Sequence, residues 1–451
     1  MMHGSEKRDE ADDQDIYYFS ALNIKMAPYK IYIIVCSLRS LHKSREGVSL
    51  DLWAEEKSCQ RRTEFLDKIV DILYNIKESH GFLMGILSEV NVFVLPPNVP
   101  EFDMQYPYMT FVSSSLLEGQ YSIIDKIVQN IIESWIGRTV TIDNFKHLWL
   151  IKGLSTFIYR NRINDKIIDK EMKFRTDLEI KGINNLLSMP ELQTDSLVPD
   201  LTGKLPMNII KYVSEKGCAF LNHLQDMLGG PEEFKSFLVN CLLPRWSKHR
   251  EIPTTDRFKE ALNTYFFLIE EKRGTLNSIE WDKWFNEPDF PTQSYSTTLR
   301  KTYWQVQADL WIAQKIEWFD EKLERSNDLD IIEILTYLLA MPNTELIRKL
   351  SEDKLRRIEH EFLRDQEICE IRFLWLRLCI KSKWLDDGRI QEEALKFACE
   401  YCMPKYACPI FRDLYEWEVT RKLARSWFMD PDNRSKMLPE TIKELESILE
   451  I

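Results

Sequence analysis

The stretch from Asp125 to Ser155 constrains this chain more than any other. Its first half carries Ile127, Val128, Ile131, Ile132 and Trp135, spaced to fall on one side of a helix from about Ile123 to Trp135. Gln129 and Glu133, four residues apart, share another face, with Asn130 alongside. Taken by themselves, these residues describe an ordinary amphipathic helix whose polar side chains face water. The residues that follow change that reading.

The chain continues Ser134-Trp-Ile-Gly-Arg-Thr-Val-Thr141 and then Trp149-Leu-Ile-Lys-Gly153. In a zincin, H-E-x-x-H sits on a helix so that two imidazoles, four residues apart, grip the metal while the glutamate between them activates water. The present stretch resembles the M1 (gluzincin) aminopeptidases, and within them the leukotriene A4 hydrolase and aminopeptidase B branch, which run H-E-I-x-H-S-W-x-G-x-x-V-T and later W-L-N-E-G. Ile131, Ser134, Trp135, Gly137, Val140, Thr141, Trp149, Leu150 and Gly153 match that frame. The resemblance places Gln129 and Glu133 at the two histidine ligands, Asn130 at the general base and Lys152 at the third ligand. It implies zinc in the family and no intact ligand here, so no cofactor is expected.

The same resemblance extends to substrate-binding positions. Val90-Asn-Val-Phe-Val-Leu95 reads as a strand ending at Pro96-Pro97. Active members then carry G-G-M-E-N-P, whose glutamate holds the substrate's amino group. Here the run is Phe102-Asp-Met-Gln-Tyr-Pro107, keeping Met104 and placing Gln105 at the glutamate. An amide still accepts a hydrogen bond from an ammonium, without the charge-assisted part. Ser214-Glu-Lys-Gly217 resembles the family's Y-E-K-G, whose tyrosine stabilises the oxyanion, a task a serine hydroxyl is too short to perform from the same backbone position. Tyr212, two residues earlier, has the wrong offset to replace it. Glu370 to Trp384 resembles the family's characteristic carboxy-terminal run. Arg372 matches the first of two basic residues that bind the substrate carboxylate, and Leu374 stands at the second. Arg372 reads equally as part of a structural ion pair inside a helical stack.

Around these motifs the expected fold is α+β and mainly α-helical. Residues 1–15, charged and nearly free of apolar side chains, are expected to be a disordered tail. Residues 16–54 read as strands, with Ile31 to Leu38 paired to Val48–Trp53 across a turn at His42 to Gly47, and the resemblance makes them the remnant of an N-terminal β-domain most of which is missing. The segment Ile31 to Leu38 would then offer an exposed edge prone to self-association. A helix at about Ser58 to Lys77 opens a thermolysin-like, M1 peptidase-like domain over residues 55–286. A proline-bearing linker over 287–297 leads to a C-terminal α-solenoid of HEAT or armadillo character over 298–451. Its helices are expected at Tyr303 to Phe319, Ile331 to Leu339, Leu355 to Leu363, Ile371 to Ile380, Ala394 to Cys402 and Leu414 to Trp427.

Composition narrows the function further. The net charge of −12 argues against a nucleic-acid partner. No run approaches the roughly 18 apolar residues of a membrane span, and the polar, acidic start lacks the features of a signal peptide, so a cytoplasmic protein is expected. The nine cysteines read as buried thiols. Cys399, Cys402 and Cys408 approach metal spacing without a fourth ligand nearby and are read as helix-packing thiols. The expected function is that of a catalytically inactive homologue acting through a peptide or protein partner. The alternative is an active zinc aminopeptidase or epoxide hydrolase with an unorthodox site. One structural expectation is sharp: with an ammonium at the third ligand and a carboxylate on the metal helix, Lys152 should pair with Glu133.

Overall fold

The computed structural model describes residues 3–9, 14–20, 38–55, 63–79, 89–95, 109–113, 122–139, 142–162, 196–199, 209–247, 251–287, 301–313, 328–363, 368–384 and 386–451. Strand β1, His3–Asp9, pairs antiparallel with β2, Gln14–Ser20, from Asp9↔Gln14 outward. Residues 3–9 and 14–15 are therefore strand where a disordered tail was expected. The β-prone run Ile16-Tyr-Tyr-Phe in β2 offers a strand edge, and an antiparallel ladder is made by backbone groups that even a charged partner strand possesses. Residues 31–37 of the predicted strand Ile31 to Leu38, and with them the edge prediction, lie outside the described residues.

Strands β3, Arg39–Arg45, and β4, Val48–Ala54, form a tight hairpin. Glu46 and Gly47 both take positive φ, 43° and 78°, the two-residue geometry that matches the twist of paired strands. That turn makes Arg39–Arg45 the partner of β4, where the sequence had suggested a strand seven or so residues earlier and a longer turn. Alternation in β4 is strict: Val48, Leu50, Leu52 and Ala54 are all fully buried. Helix α1, Thr63–Ser79, covers that face with Leu66, Ile69, Val70 and Leu73. Ion pairs Lys43–Asp67 at 3.0 Å and Arg45–Asp71 at 2.5 Å join helix to hairpin.

Strand β5, Glu89–Leu95, runs parallel to β4, and β6, Met109–Ser113, completes a sheet of order β3-β4-β5-β6. Of the strands assigned to a separate β-domain ending at residue 54, β3 and β4 are thus continuous with those of the peptidase-like segment. The reason is visible at the β4–β5 seam, where Trp53 donates through Nε1 to Asn91 Oδ1 at 2.9 Å and stacks on Phe93.

Helices α2, Ser122–Thr139, α3, Trp149–Arg162, and α4, Ile209–Met227, carry the motif residues. They are followed by α5, Pro231–Phe237, α6, Leu243–Ser247, α7, Thr255–Phe267, α8, Arg273–Asn277, and α9, Trp281–Asn286. The chain divides into two compact units, the first dominated by residues 127–300 and the second by 301–451.

The second unit opens at α10, Tyr303–Ile312, with a capping box in which Thr302 and Gln305 satisfy each other's backbone N–H groups. Helices α11, Asp328–Leu339, α12, Asn343–Lys349, α13, Glu352–Phe362, α14, Cys369–Lys381, α15, Arg389–Glu400, α16, Pro404–Glu416, α17, Glu418–Met429, α18, Pro431–Arg434, and α19, Pro439–Ile448, follow. Their apolar faces meet in one core running from Trp304 to Leu449. The single helix expected over Leu414 to Trp427 is two, broken at Trp417, which takes extended backbone angles. There the Thr420 hydroxyl donates to the Leu414 carbonyl at 2.6 Å and reaches the Trp417 carbonyl at 3.2 Å, offering the backbone an alternative to the helical ladder. Among the described residues, no helix is long and apolar enough to cross a membrane.

Candidate functional site

The site is built where α2, α3 and α4 meet in the first unit. Ile127, Val128, Ile131, Ile132 and Trp135 of α2 are buried as their spacing requires. Asn130 and Glu133 are buried as well, at 3% and 7% exposure, so the simple reading of a water-facing polar side does not hold. What permits the burial of Glu133 is Lys152 of α3, itself only 9% exposed, whose Nζ forms an ion pair with Glu133 Oε1. One turn along both helices, Gln129 Nε2 lies 3.5 Å from Thr156 Oγ1, a long contact, and Thr156 donates to the Lys152 carbonyl at 2.9 Å. The predicted pair is therefore present, with the amide of Gln129 beside it.

Helices α3 and α4 cross at two glycines. A Cβ on Gly153 would lie 2.8 Å from the Gly217 Cα, and one on Gly217 would lie 3.0 Å from the Gly153 Cα. Both are glycines of the motifs W-L-I-K-G and S-E-K-G, and their role is to let two backbones touch. The remaining motif residues brace the same crossing. Arg160 Nη1 lies 2.8 Å from Glu215 Oε2, and its Nη2 donates to Oε1 at 2.9 Å. Burial opposes the Arg160 charge, but the Glu215 carboxylate outweighs it and holds the group above its ordinary pKa. Lys216, fully buried, donates to the Tyr212 hydroxyl at 3.0 Å and to the Glu287 carbonyl at 2.5 Å. Ser214 donates its hydroxyl to the Ile210 carbonyl of its own helix at 2.7 Å. Ser214, with its proton committed to its own helix, is thus not held ready to polarise a substrate carbonyl.

Trp149 is fully buried and donates through Nε1 to Thr255 Oγ1 at 3.1 Å. The ring of His147 accepts from the Thr255 N–H through Nδ1 at 3.3 Å, with the Thr255 hydroxyl 3.0 Å away. That contact leaves the proton on Nε2. Burial pushes the His147 pKa down, aided by Lys146 and opposed by Asp143 and Asp256.

Met104 and Gln105 lie outside the described residues. Arg372 belongs to the second unit, where it is partly buried with its guanidinium 5.4 Å from the Phe397 ring centroid. The ion pair anticipated for Arg372 is not what the structure describes there; in the same helix it is Arg377 that pairs with Asp413, at 2.6 Å. Cys399 accepts from Trp427 Nε1 at 3.3 Å, and burial with Glu444 nearby pushes the Cys408 thiol up to about 12. These are properties of packing thiols rather than of metal-binding thiolates. Sequence reasoning passed over Arg160–Glu215, although Lys152, Thr156 and Arg160 recur every fourth residue on one stripe of α3 and Glu215 lies inside a quoted motif.

Residues 105–284 match the Peptidase family M1 domain, and residues 330–449 match the leukotriene A4 hydrolase C-terminal domain. Leukotriene A-4 hydrolase of Xenopus laevis is 27% identical over 98% of this chain and 70% of its own length. The chain thus carries an M1 peptidase domain and a leukotriene A4 hydrolase C-terminal domain. It is also 27% identical to leucine aminopeptidase 2 of Coccidioides immitis, over 73% of the chain and 52% of that relative. Native yeast LTA4 hydrolase superposes with a TM-score of 0.78 at 19% identity, covering all of this chain and 72% of that one. That likeness shows the fold: N-terminal strands, a central M1 domain and a C-terminal helical domain.

The match to an M1 peptidase domain raises the question of zinc. The positions that resemblance assigns to the ligands hold an amide, a carboxylate and an ammonium, with the ammonium already bound to the carboxylate. An ammonium is no ligand and repels a cation, and amides are poor partners for zinc beside imidazole or thiolate. This donor set does not fit a zinc ion. Among the described residues, no group of three or more His, Cys, Asp or Glu is gathered as a metal would need.

Proposed function

We propose that this chain is a catalytically inactive member of the leukotriene A4 hydrolase and aminopeptidase branch that acts by binding a peptide or protein. The observation that carries the reading is the Glu133–Lys152 ion pair, which fills with an internal cation the place where the resemblance puts the metal. Support comes also from Asn130 at the general base and from Ser214, whose hydroxyl is engaged with Ile210. The resemblance assigns Gln105 to the position that meets a substrate ammonium and Arg372 to one that meets a carboxylate. The acidic balance speaks against nucleic acid, and a cytoplasmic location is part of the proposal.

The alternative, an active zinc aminopeptidase or epoxide hydrolase, draws on what the relatives are named for. The two are separated by assaying purified protein with aminoacyl fluorogenic substrates, with and without added zinc, and by measuring binding of labelled peptides of varied termini. Peptide binding without turnover is expected. Bestatin-sensitive turnover would establish the alternative, and saturable binding to no peptide or protein would remove the proposed role.

A further inference from the structure

The Glu133–Lys152 pair does more than occupy a position. Gln129 and Glu133 are four residues apart on α2, as Lys152 and Thr156 are on α3, and the side chains meet as Glu133 with Lys152 and Gln129 with Thr156. Two polar rungs, one helical turn apart, thus tie the two helices together in antiparallel fashion. The ion-pair rung is buried at both ends, where an opposite charge is screened least. A divalent ion entering here would have to expel the ammonium from Glu133 and would then find one carboxylate and the amides of Gln129 and Asn130.

We propose that the Lys152 ammonium is the resident cation of this site, cross-linking α2 and α3 as a bound metal would, and that the chain takes up no divalent ion there. The proposal rests on the same replacement as the function above and assigns its structural consequence. It makes the fold independent of metal, whereas a zinc-linked pair of helices loosens under chelation.

The test uses the full chain. Wild-type protein is dialysed against excess zinc chloride, freed of unbound ion and analysed for metal, and its melting temperature is taken with zinc and with 1,10-phenanthroline. Lys152→Met, Glu133→Gln and the double variant are melted alongside. The expected result is substoichiometric zinc, a melting temperature unmoved by either addition, a loss of several degrees in each single variant, and a double variant that loses less than the two singles summed. A buried charge left without its partner costs more than the removal of both. Stoichiometric zinc in the wild type would overturn the proposal, as would single-variant losses that simply add. Should Lys152→Met fail to fold, Glu133→Gln, which replaces the carboxylate by a neutral amide of nearly the same size, is compared with the double variant: a double variant at least as stable as Glu133→Gln supports the pair, and one that loses several further degrees overturns it. These readouts differ from those of the proposed function: a chain that binds no peptide fails that reading alone, and additive losses fail this one alone.

Discussion

Gly153 and Gly217 press two helix backbones together at a separation no other side chain tolerates, so the two glycines are explained by packing before any chemistry is invoked. Gly153→Ala should force α3 and α4 apart and lower stability by about 1–3 kcal/mol, the usual cost of overpacking. Denaturant unfolding checks this, and an unchanged midpoint would show that the crossing is looser than described. A second expectation at this scale concerns pH. Burial lowers the pKa of His147 and of His223 below the ordinary value, so both are favoured neutral in the fold. The groups around them include Lys146, Asp143 and Asp256 for His147, and Asp226 and Glu280 for His223. A depressed folded-state pKa contributes stability that is complete above the unfolded value, about 6.5, and is lost as pH falls through the folded value. The melting temperature should therefore fall between pH 7.5 and pH 5.5. His147→Asn, whose amide oxygen can still accept from the Thr255 N–H, should shed part of that fall. An identical pH dependence in the variant would remove His147 as its source.

Among the elements, the helices that carry motif residues were the most legible in the sequence. Helical periodicity placed α2, and matching residue by residue placed Lys152 against Glu133, because both signals lie along one short stretch of chain. The hairpin was misplaced for an opposite reason. Ile31 to Leu38 has the stronger β composition, yet the two-residue turn at Glu46-Gly47 fixes Arg39–Arg45 as the partner of β4, and turn geometry overrides propensity. The break at Trp417 was hidden because apolar residues continue at helical spacing through it, while its cause is a hydroxyl. Thr420→Val removes that hydroxyl at nearly constant volume in a site 3% exposed. The Leu414 and Trp417 carbonyls then lose a donor, at a cost of about 1 kcal/mol. Equilibrium unfolding of the variant tests this, and a change within error would mean that the flanking helices alone hold the break.

At the scale of the whole molecule, the two units differ in how their cores are assembled. The first mixes the β3–β4 hairpin with helices whose contacts join segments far apart in sequence, such as His147 with Thr255 and Lys216 with Glu287. Among the described residues, the second draws its principal core from Trp304 to Leu449, and polar contacts also close within residues 301–451: Arg377 with Asp413, Arg425 with the Leu449 carbonyl, and Thr302 with Glu333. A core supplied by one continuous stretch of about 150 residues is of the size at which single domains fold alone. Residues 301–451 expressed by themselves should accordingly be helical by circular dichroism and melt in one cooperative transition. Their neighbours in the unit, 94–103 and 111–126, would then add stability without being needed for folding. Helicity that declines gradually on heating, with no transition, would show that those segments or the first unit complete the core, and would move the boundary of the folding unit toward the amino terminus.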